Sequence, residues 1–565
     1  MIAALAVLAC LAVYALGYAF YSRYIGRQVF GLRADVRTPA HVYEDGIDYV
    51  PSSRWVLFGH HFASITGLSP MLGPAIAVIW GWLPAMIWVV VGAVTIGCVH
   101  DFGALVVSVR SRGRSIGSVA EGLMGRRAKS LLHAIIFFGI ALAMGVFVFV
   151  IAQLFTPKFY PQSISPSVLI LVLALWIGWR TRRTGQGLGS RVGIAFVVVL
   201  VGLWFSDLLA PSWTSVSGWI WLLLAYAWIA SVLPVWSLLQ PRDFLNSLLL
   251  YLGLACTYLG FFVLRPEFAA PAVDLHPEGA PPMLPFVFVV VACGAASGFH
   301  SLVSSGTTAK QLDRETDARF IGYGGMLGES ILGLSAVLAC TAGFASRDLW
   351  SDHYRSWGAM SGLGSKMAAF IDGAATFVSQ LGLPRGKAET LIAVMVVSFA
   401  LTTLDSATRL LRYNIEEVGE TLRFRPLANR YVSSTAAVLA IAFFAFYKVD
   451  GQSAGLALWQ LFGSVNQLLA GLALLVVVLY LTQRKRPRLV YLIPMVFMMA
   501  STTLATGFKL VDYYRGGQTL LLVVGSIISL MAIALVVEAV ISIRRYRRQP
   551  PVADLDIELE DSPQT

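Results

Sequence analysis

The stretch ACGAASGFHSLVSSGTT, residues 292–308, decides the architecture because it lies inside a run apolar enough to cross a membrane. Thirteen of its seventeen residues are Gly, Ala, Ser, Thr or Cys, and one is His300. A helix that faces lipid carries Leu, Ile, Val and Phe instead. Glycines that interrupt a spanning helix free backbone N–H and C=O groups, which are tolerated only against protein or a wet cavity. The stretch therefore predicts a broken, site-forming helix, and the alternative is tight helix packing through small residues.

The composition places this stretch in a membrane protein. Of the 565 residues, 57% are hydrophobic and only 13% are charged, whereas soluble domains carry about 25% charged residues. The net charge of +11 is concentrated in short loops between apolar runs, which indicates membrane topology and argues against a nucleic-acid-binding protein. The five cysteines form no CxxC pair, so we expect no disulfide framework and no zinc cluster.

The apolar runs predict an all-α polytopic membrane protein with about 15 transmembrane helices, or up to 18 if partial segments such as 367–381 also cross. The predicted spans are 1–22, 55–80, 83–109, 130–155, 166–180, 190–210, 218–240, 243–264, 284–308, 321–346, 388–411, 430–447, 454–482, 489–508 and 518–543. No stretch between them exceeds about forty residues, which is too short for a catalytic or signalling domain of usual size. We therefore expect the membrane part to carry the function and the protein not to be an enzyme.

The basic residues give this set of spans an orientation. With the N-terminus outside, 31 of the 42 lysines and arginines lie in loops on one side, ten lie on the other, and Arg409 lies at a helix end. Because Lys and Arg accumulate on the cytoplasmic side of membranes, a multi-pass protein with a cytoplasmic C-terminus is predicted.

This topology predicts four regions. Residues 1–54 form the first transmembrane helix and a cytoplasmic loop, and 55–425 form a transporter core with broken helices near 59–74 and 292–308. The C-terminal transmembrane helices occupy 426–543, and 544–565 form a polar cytoplasmic tail.

A second interrupted helix lies in the first half of the chain. Residues 59–74 read GHHFASITGLSPMLGP, and Pro70 and Pro74 each remove a helical hydrogen bond. The predicted topology gives this segment and 292–308 opposite orientations. Two such helices indicate an inverted-repeat transporter with a site near the middle of the membrane. The predicted substrate-binding residues are His61, Ser64, Thr66, Gly67, Ser297, Gly298, His300 and Ser301.

Charged and hydroxyl side chains inside the spans give candidates for ion coupling. His100 and Asp101 lie about 12 Å deep at 1.5 Å per helical residue, and a carboxylate at that depth suggests function by default. A structural pair, for example between Asp101 and Arg110 or a hydroxyl, is the alternative.

The stretch SFALTTLDSATRLLRY, 398–413, provides the other candidates: Thr402, Thr403 and Asp405. Their oxygens suit a hard cation. Alternatively, the hydroxyls cap their own helix and Asp405 pairs with Arg409 four residues on.

Three further polar residues are weaker candidates. Glu329 is expected near the inner membrane surface, and Asn466 and Gln467 are expected to join helices rather than contact substrate.

Together these segments resemble the carbon starvation protein A (CstA) family of bacterial membrane transporters, from about residue 55 to 472. The matching stretches are HHFASITGLSPMLGP, VHDFGALVVSVRSRGRSIG, ACGAASGFHSLVSSGTT, DARFIGYGGMLGES, FALTTLDSATRLLRY and LFGSVNQLLA. The resemblance implies uptake of peptides or small carboxylates, pyruvate in particular, across the bacterial cytoplasmic (inner) membrane. It also implies distant kinship with the amino acid–polyamine–cation superfamily, and so a LeuT-like inverted-repeat core with two broken helices plus peripheral helices. In that fold a hydroxyl-rich helix faces the first broken helix, which would place Thr402 and Thr403 near the carbonyls of residues 63–66.

The sequence and this resemblance predict a secondary active transporter working by alternating access. It would need no cofactor, would be coupled to a proton or sodium gradient, and would have a small carboxylate or peptide and the lipid bilayer as its partners. The alternative is a metal-binding channel or metal-ion transporter that uses His60, His61, Asp101 and His300 as ligands. The sequence carries no signal for an oligomeric state.

Overall fold

A computed structural model describes residues 2–184, 189–360, 362–449, 452–550 and 552, and helices account for most of them. A two-residue antiparallel pairing, Lys448–Val449 with Gln452–Ser453, is the only ladder of strands in these ranges. The all-helical class predicted from the apolar runs is therefore confirmed.

The helices follow one another along the chain with short connections. They are α1 (Ile2–Phe30), α2 (Arg54–Ile65), α3 (Ser69–Trp80), α4 (Trp82–Val109), α5 (Ile116–Met124), α6 (Arg126–Leu154), α7 (Pro161–Thr184), α8 (Gly189–Trp204), α9 (Val216–Val232), α10 (Leu239–Leu264), α11 (Met283–Val290), α12 (Ala292–Ala295), α13 (Gly298–Gly306), α14 (Glu315–Ala342), α15 (Arg347–His353), α16 (Leu363–Ser379), α17 (Arg385–Leu422), α18 (Arg430–Phe446), α19 (Ala454–Gln483), α20 (Leu489–Arg515) and α21 (Thr519–Arg548). Each of the fifteen predicted spans falls on one or more of these helices.

Within the described ranges, ten helices are long and apolar enough to cross a membrane, and the bent pair α2–α3 makes up to eleven. Helices α8, α9 and α18 are apolar but shorter, and the segment 283–306 is divided into the three pieces α11, α12 and α13. A multi-pass membrane protein is thus established, while the count of 15 crossing helices and the LeuT-like core stay predictions.

Burial separates central helices from peripheral ones. The most apolar windows of α17 and α19 are fully buried, whereas only 28% of the corresponding windows of α1 and α21 are buried. A helix that is apolar all round and enclosed by others forms a core, and the outward Leu and Ile side chains of α1 and α21 suit contact with lipid. Helices α17 and α19 therefore form the centre of the bundle.

Loops rich in Lys and Arg meet at one end of the bundle, which we call the basic face and define by the loops 31–53, 110–115, 307–314 and 484–488. Their contacts include Arg110 Nη2 to the Gly31 carbonyl at 3.4 Å and the Ser52 N–H to the Gln311 carbonyl at 3.1 Å. These distances show that loops far apart in sequence lie together at one end.

The other end, the opposite face, is defined by the connections 265–282 and 343–362. There the Trp82 N–H donates to the Pro271 carbonyl at 3.1 Å, and the Trp357 N–H donates to the Glu278 carbonyl at 2.8 Å. The broken helices lie between the two faces.

Candidate functional site

The first broken helix is interrupted between Ile65 and Ser69, and its halves α2 and α3 are bent by 49°. Thr66 leaves helical geometry with φ −78° and ψ 95°. A Cβ on Gly67 would lie 2.9 Å from the Phe147 ring and 3.2 Å from Thr403 Oγ1, so a larger residue here would have to displace these side chains. The break leaves backbone carbonyls without helical partners, which makes them available to a hydroxyl or an ion.

Thr403 of α17 takes up two of these carbonyls. Its Oγ1 lies 3.4 Å from the Ser64 carbonyl oxygen and 3.3 Å from that of Thr66. Thr402, which the resemblance placed in the same position, points elsewhere: its Oγ1 accepts from Asn246 Nδ2 at 2.7 Å. Successive helical residues point about 100° apart, so only one of two neighbouring threonines can face the break.

The second broken helix is interrupted at Ala296 and Ser297, which have extended φ values of −162° and −122°. Asn466 of α19 caps the resuming helix, because its Oδ1 accepts from the Phe299 N–H at 3.0 Å and its Nδ2 lies 3.1 Å from Ser297 Oγ. The backbone approach is close here too, since a Cβ on Gly298 would lie 2.3 Å from the Asn466 carbonyl oxygen. Asn466 joins helices as expected, and it also supports the break.

The two breaks line one narrow cavity. Its walls include Gly67 and Ser69 from the first broken helix, Cys293 and Phe299 from the second, and Thr403 from α17. The predicted interrupted segments therefore lie side by side.

The remaining predicted substrate residues are buried, and most of their side chains hydrogen-bond to protein groups, whereas Thr66 Oγ1 has no partner among the described residues. His61 Nδ1 lies 2.9 Å from Thr308 Oγ1, and Ser64 Oγ lies 2.9 Å from the Ser406 hydroxyl. Ser301 Oγ donates to the Gly298 carbonyl at 2.7 Å. His61 thus connects α2 to the turn after the second broken helix.

Four titratable side chains form a continuous chain on α4, α13 and α14, which we call the carboxylate–imidazole chain (His100, Asp101, His300 and Glu329). Asp101 receives His100 Nδ1 at 2.7 Å on one oxygen and His300 Nδ1 at 2.8 Å on the other. His300 Nε2 contacts Glu329 Oε2 at 2.8 Å. All four side chains are at most 1% exposed.

This chain corrects two expectations. Arg110 is not the partner of Asp101, because its guanidinium pairs with Glu315. Glu329, which was expected near one membrane surface, lies well inside the bundle: it is fully buried, fourteen residues after the start of α14, or about 21 Å along it. The sequence placed Glu329 too shallow because the helix begins earlier than the apolar run that signals it.

A second buried charge cluster contains Asp405, which was predicted as a coupling residue. The Tyr226 hydroxyl donates to Asp405 Oδ2 at 2.5 Å, and the Arg242 guanidinium contacts both groups. Arg242 also bonds Asp243 at 2.9 Å, and Asp243 in turn receives His60 Nδ1 at 2.6 Å. Asp405 is therefore held in an ionic cluster on α9, α10 and α17, away from the break that Thr403 faces.

Asp405 does not pair with Arg409, which the sequence left open as the alternative to ion coupling. Arg409 instead donates to Asp48 Oδ1 at 2.9 Å on the basic face. Burial alone would raise the pKa of Asp48, but the positive charges of Arg409, Arg412 and Lys310 outweigh it and lower that pKa to about 2. Asp48 is thus a carboxylate at all ordinary pH values, and it fixes the loop 43–53 to α17.

The metal-transport alternative requires a cluster of metal-ligating side chains. In the part of the chain that the structure describes, no three His, Cys, Asp or Glu side chains are placed to hold a metal ion. His60 turns to Asp243, His61 turns to Thr308, and only Asp101 and His300 of the four suggested ligands are adjacent.

Comparison with known proteins agrees with the transporter architecture. The family model described as Carbon starvation protein CstA matches residues 2–352 and 354–505. The chain is 34% identical over 566 residues to the Peptide transporter CstA of Mycobacterium tuberculosis (strain ATCC 25618 / H37Rv), covering 88% of this chain and 74% of that protein. It is 32% identical over 590 residues to the Pyruvate/proton symporter BtsT of Escherichia coli (strain K12), covering 89% and 81%.

A solved structure shares the fold. The crystal structure of the Eremococcus coleocola manganese transporter in complex with an aromatic bis-isothiourea substituted compound matches with a TM-score of 0.50 and 11% sequence identity, over 89% of this chain and 99% of that chain. At this identity the likeness concerns the fold alone. The match of the family model across nearly the whole chain, together with these relatives, confirms the resemblance seen in the six sequence stretches: the chain belongs to the carbon starvation protein CstA family of membrane transporters.

Proposed function

We propose that the protein is a secondary active transporter that imports small carboxylates of the pyruvate type, or short peptides, across the bacterial cytoplasmic membrane by alternating access and proton coupling. The names of its relatives, a peptide transporter and a pyruvate/proton symporter, support this class of substrate and ion. The observation that carries the proposal is the carboxylate–imidazole chain buried beside the two broken helices. The positive-inside rule assigns the basic face to the cytoplasm.

The substrate carboxylate would bind between the two breaks. The backbones of Thr66, Ala296 and Ser297 depart from helical geometry, and the N-terminal end of α13, where Asn466 accepts from the Phe299 N–H, carries partial positive charge. Such groups bind an anion without a fixed lysine, and they suit pyruvate and the C-terminus of a peptide alike. The residues predicted from the sequence around Ser64–Gly67 and Ser297–Ser301 supply these backbone groups.

The carboxylate–imidazole chain would carry the proton. His300 lies between Asp101 and Glu329, so one imidazolium faces two carboxylates. With His300 charged, His100 neutral and both carboxylates ionised, the chain buries one uncompensated negative charge, which is costly in a dry interior. Taking up one proton removes that cost, and we propose Glu329 as the group that accepts it.

Sodium is a second candidate for the coupling ion, and Thr403 favours it. The Thr403 hydroxyl and the carbonyls of Ser64 and Thr66 place three oxygens close together at the first break. Hard cations prefer such oxygen ligands. If sodium is the coupling ion, Thr403, rather than Thr402 or Asp405, provides its side-chain ligand.

Uptake by the full chain in proteoliposomes tests the proposal. Labelled pyruvate and dialanine are offered with an inward proton gradient, an inward sodium gradient or neither. We expect the proton gradient to drive accumulation, and Glu329→Gln to abolish accumulation while exchange of internal for external substrate continues, because a permanently neutral side chain still permits the conformational change. Glu267→Gln, at an exposed position on the opposite face, is the matched control and should behave as the unaltered protein.

Two results would reject the proposal. Uptake that depends on neither gradient would refute the proposed ion coupling. The absence of uptake of both substrates would refute the proposed substrate class. Proton-driven accumulation by Glu329→Gln at the unaltered level would instead reject Glu329 as the proton carrier.

A further inference from the structure

A large cavity connects the broken helices with the opposite face; we call it the outer vestibule. Its volume is about 700 Å³, within the roughly 300–1,000 Å³ of typical small-molecule sites. Gly73 and Ala292 form part of its inner end, and Trp459 lies on its side. Ser69 and Cys293 line both this vestibule and the narrow cavity between the breaks. A solute arriving from the opposite face would therefore pass through the vestibule first.

Two lysines line the vestibule, one from α16 and one from α20. Lys366 is only 7% exposed, and its ammonium has no hydrogen-bond or ion-pair partner among the described residues. Lys509 Nζ donates to the Gln460 carbonyl at 2.5 Å and lies 3.3 Å from Ser464 Oγ. An ammonium has three N–H donors, so Lys509 keeps one for a further acceptor. An ammonium as buried as that of Lys366 is costly unless an anion compensates its charge.

The vestibule lacks the carboxylates that would balance these charges. Asp512 is the only acidic residue among its described lining; it is exposed and lies within 4.0 Å of neither lysine nitrogen. Elsewhere on the opposite face, basic side chains do find carboxylates: Lys387 Nζ lies 2.6 Å from Asp207. The lack of a nearby carboxylate is therefore specific to the described lining of the vestibule and is not a general property of this face.

We propose that Lys366 and Lys509 form a docking site for the carboxylate of the substrate, which holds it in the outer vestibule before it enters between the broken helices. The substrate's identity, though not the anion site itself, rests on the proposed function. The rings of Trp459 and Phe462 are stacked at 4.6 Å beside the path, and Phe462 lines both cavities. Docking would therefore raise the local concentration of the anion at the point where the path narrows.

Labelling of the lysines tests the docking site without requiring transport. The purified full chain in nanodiscs is treated with a membrane-impermeant, sulfonated amine-acylating reagent, and modification of each lysine is quantified by mass spectrometry. We expect pyruvate and dialanine at millimolar concentration to reduce labelling of Lys366 and Lys509 by about threefold or more. Uncharged methyl pyruvate should not protect, and labelling of Lys387 should not change. Equal labelling with and without the anions, protection by methyl pyruvate, or no labelling of Lys366 at all would overturn the inference.

Uptake kinetics supply the second readout. Lys366→Met should raise KM for pyruvate by about tenfold, the effect of losing one charge-assisted hydrogen bond, with little change in kcat. Lys366→Arg, which keeps the charge, should restore most of the KM, and Lys387→Met should have no effect. If the protein transports no carboxylate yet the anions protect the lysines, the transport proposal fails and the docking site stands. If it transports pyruvate with unchanged KM in Lys366→Met and without protection, the docking site fails and transport stands.

Discussion

Replacing Gly298 by alanine would test whether the second broken helix packs against α19 as closely as the structure indicates. The new Cβ would lie 2.3 Å from both the Asn466 carbonyl oxygen and Leu469 Cβ, and 2.5 Å from the Ala470 nitrogen. Ordinary contacts begin near 3.4 Å, so a gap of about 1 Å must open between α13 and α19. Two of the three neighbouring atoms belong to backbone, so no side-chain rotation can relieve the overlap.

The expected cost follows from two contributions. Overpacking of this kind costs about 1–3 kcal/mol. The same displacement lengthens the bonds from the Asn466 amide to Phe299 N–H and to Ser297 Oγ, now 3.0 and 3.1 Å, at about 0.5–1.5 kcal/mol each. We expect Gly298→Ala to destabilise the protein by about 2–6 kcal/mol and to reduce uptake, because the helix end that would bind substrate moves.

Thermal unfolding of the detergent-purified protein, followed by loss of the monodisperse peak in size-exclusion chromatography, measures the effect. Gly294→Ala is the matched control: it lies one turn earlier in the same broken helix, and its Cβ would meet nothing closer than 3.7 Å. We expect a clearly lower midpoint temperature for Gly298→Ala and an almost unchanged one for Gly294→Ala. Equal midpoints for the two variants would refute the close approach of α13 to α19.

Two further variants probe the basic face and the first break. Asp48→Asn should loosen the loop 43–53, seen as faster amide hydrogen exchange there. In the unaltered protein the contribution of Asp48 should be present above about pH 4 and be lost only as pH falls toward 2, because Arg409 and Arg412 lower its pKa to about 2 against burial; loss of protection between pH 8 and 5 would contradict this. If sodium stimulates uptake, Thr403→Val should weaken its apparent affinity by about tenfold, while Thr402→Val should not; equal effects would place the cation elsewhere.

The sequence predicted the helical architecture well because its signals are local. A run of about twenty apolar residues must be a helix in lipid, and Gly67, Pro70 and Pro74 mark the first interruption by their own chemistry. The division into ten long helices and several short ones was less visible. Residues 190–210 were expected to span, but the described apolar helix ends at Trp204, and a short 3₁₀ turn, Ser206–Leu209, follows.

The partners within the site were less accessible from the sequence, because pairing depends on how each helix is rotated about its axis. Asp101 and His300 were both singled out, yet nothing local shows that they meet across 199 positions of sequence. Because this rotation cannot be read from the sequence, Asp405 was predicted to face a cation, and Arg242, its partner in the structure, was not identified. The adjacent charges Arg242 and Asp243, at the start of an apolar run, were the available signal, since unpaired charges are rarely placed there.

The bundle is closed at the basic face, so the proposed transport cycle must open that end. The basic face is held by the ion pairs of Arg110 with Glu315 and of Arg409 with Asp48, whereas the outer vestibule reaches the breaks from the other side. In the proposed transport cycle, opening at the basic face would separate these pairs, and breaking a buried pair costs about 3–5 kcal/mol when one partner is left behind. Under that proposal, the substrate and the proton drive this step only if they bind more strongly to the state that is open at the basic face.

The carboxylate–imidazole chain lies where its protonation would favour one of the two conformational states over the other. Asp101 lies on α4, which ends directly before Arg110, and Glu329 lies on α14, which begins at Glu315. The two helices that hold the proton candidates are thus the ones tied together at the basic face. A proton that changes the attraction of Asp101 and Glu329 for His300 would change how these helices sit against α13, and through them the strain on the Arg110–Glu315 pair. On this argument Arg110→Met should make the inward-open state easier to reach without supplying any proton coupling, so exchange would quicken while proton-driven accumulation would not.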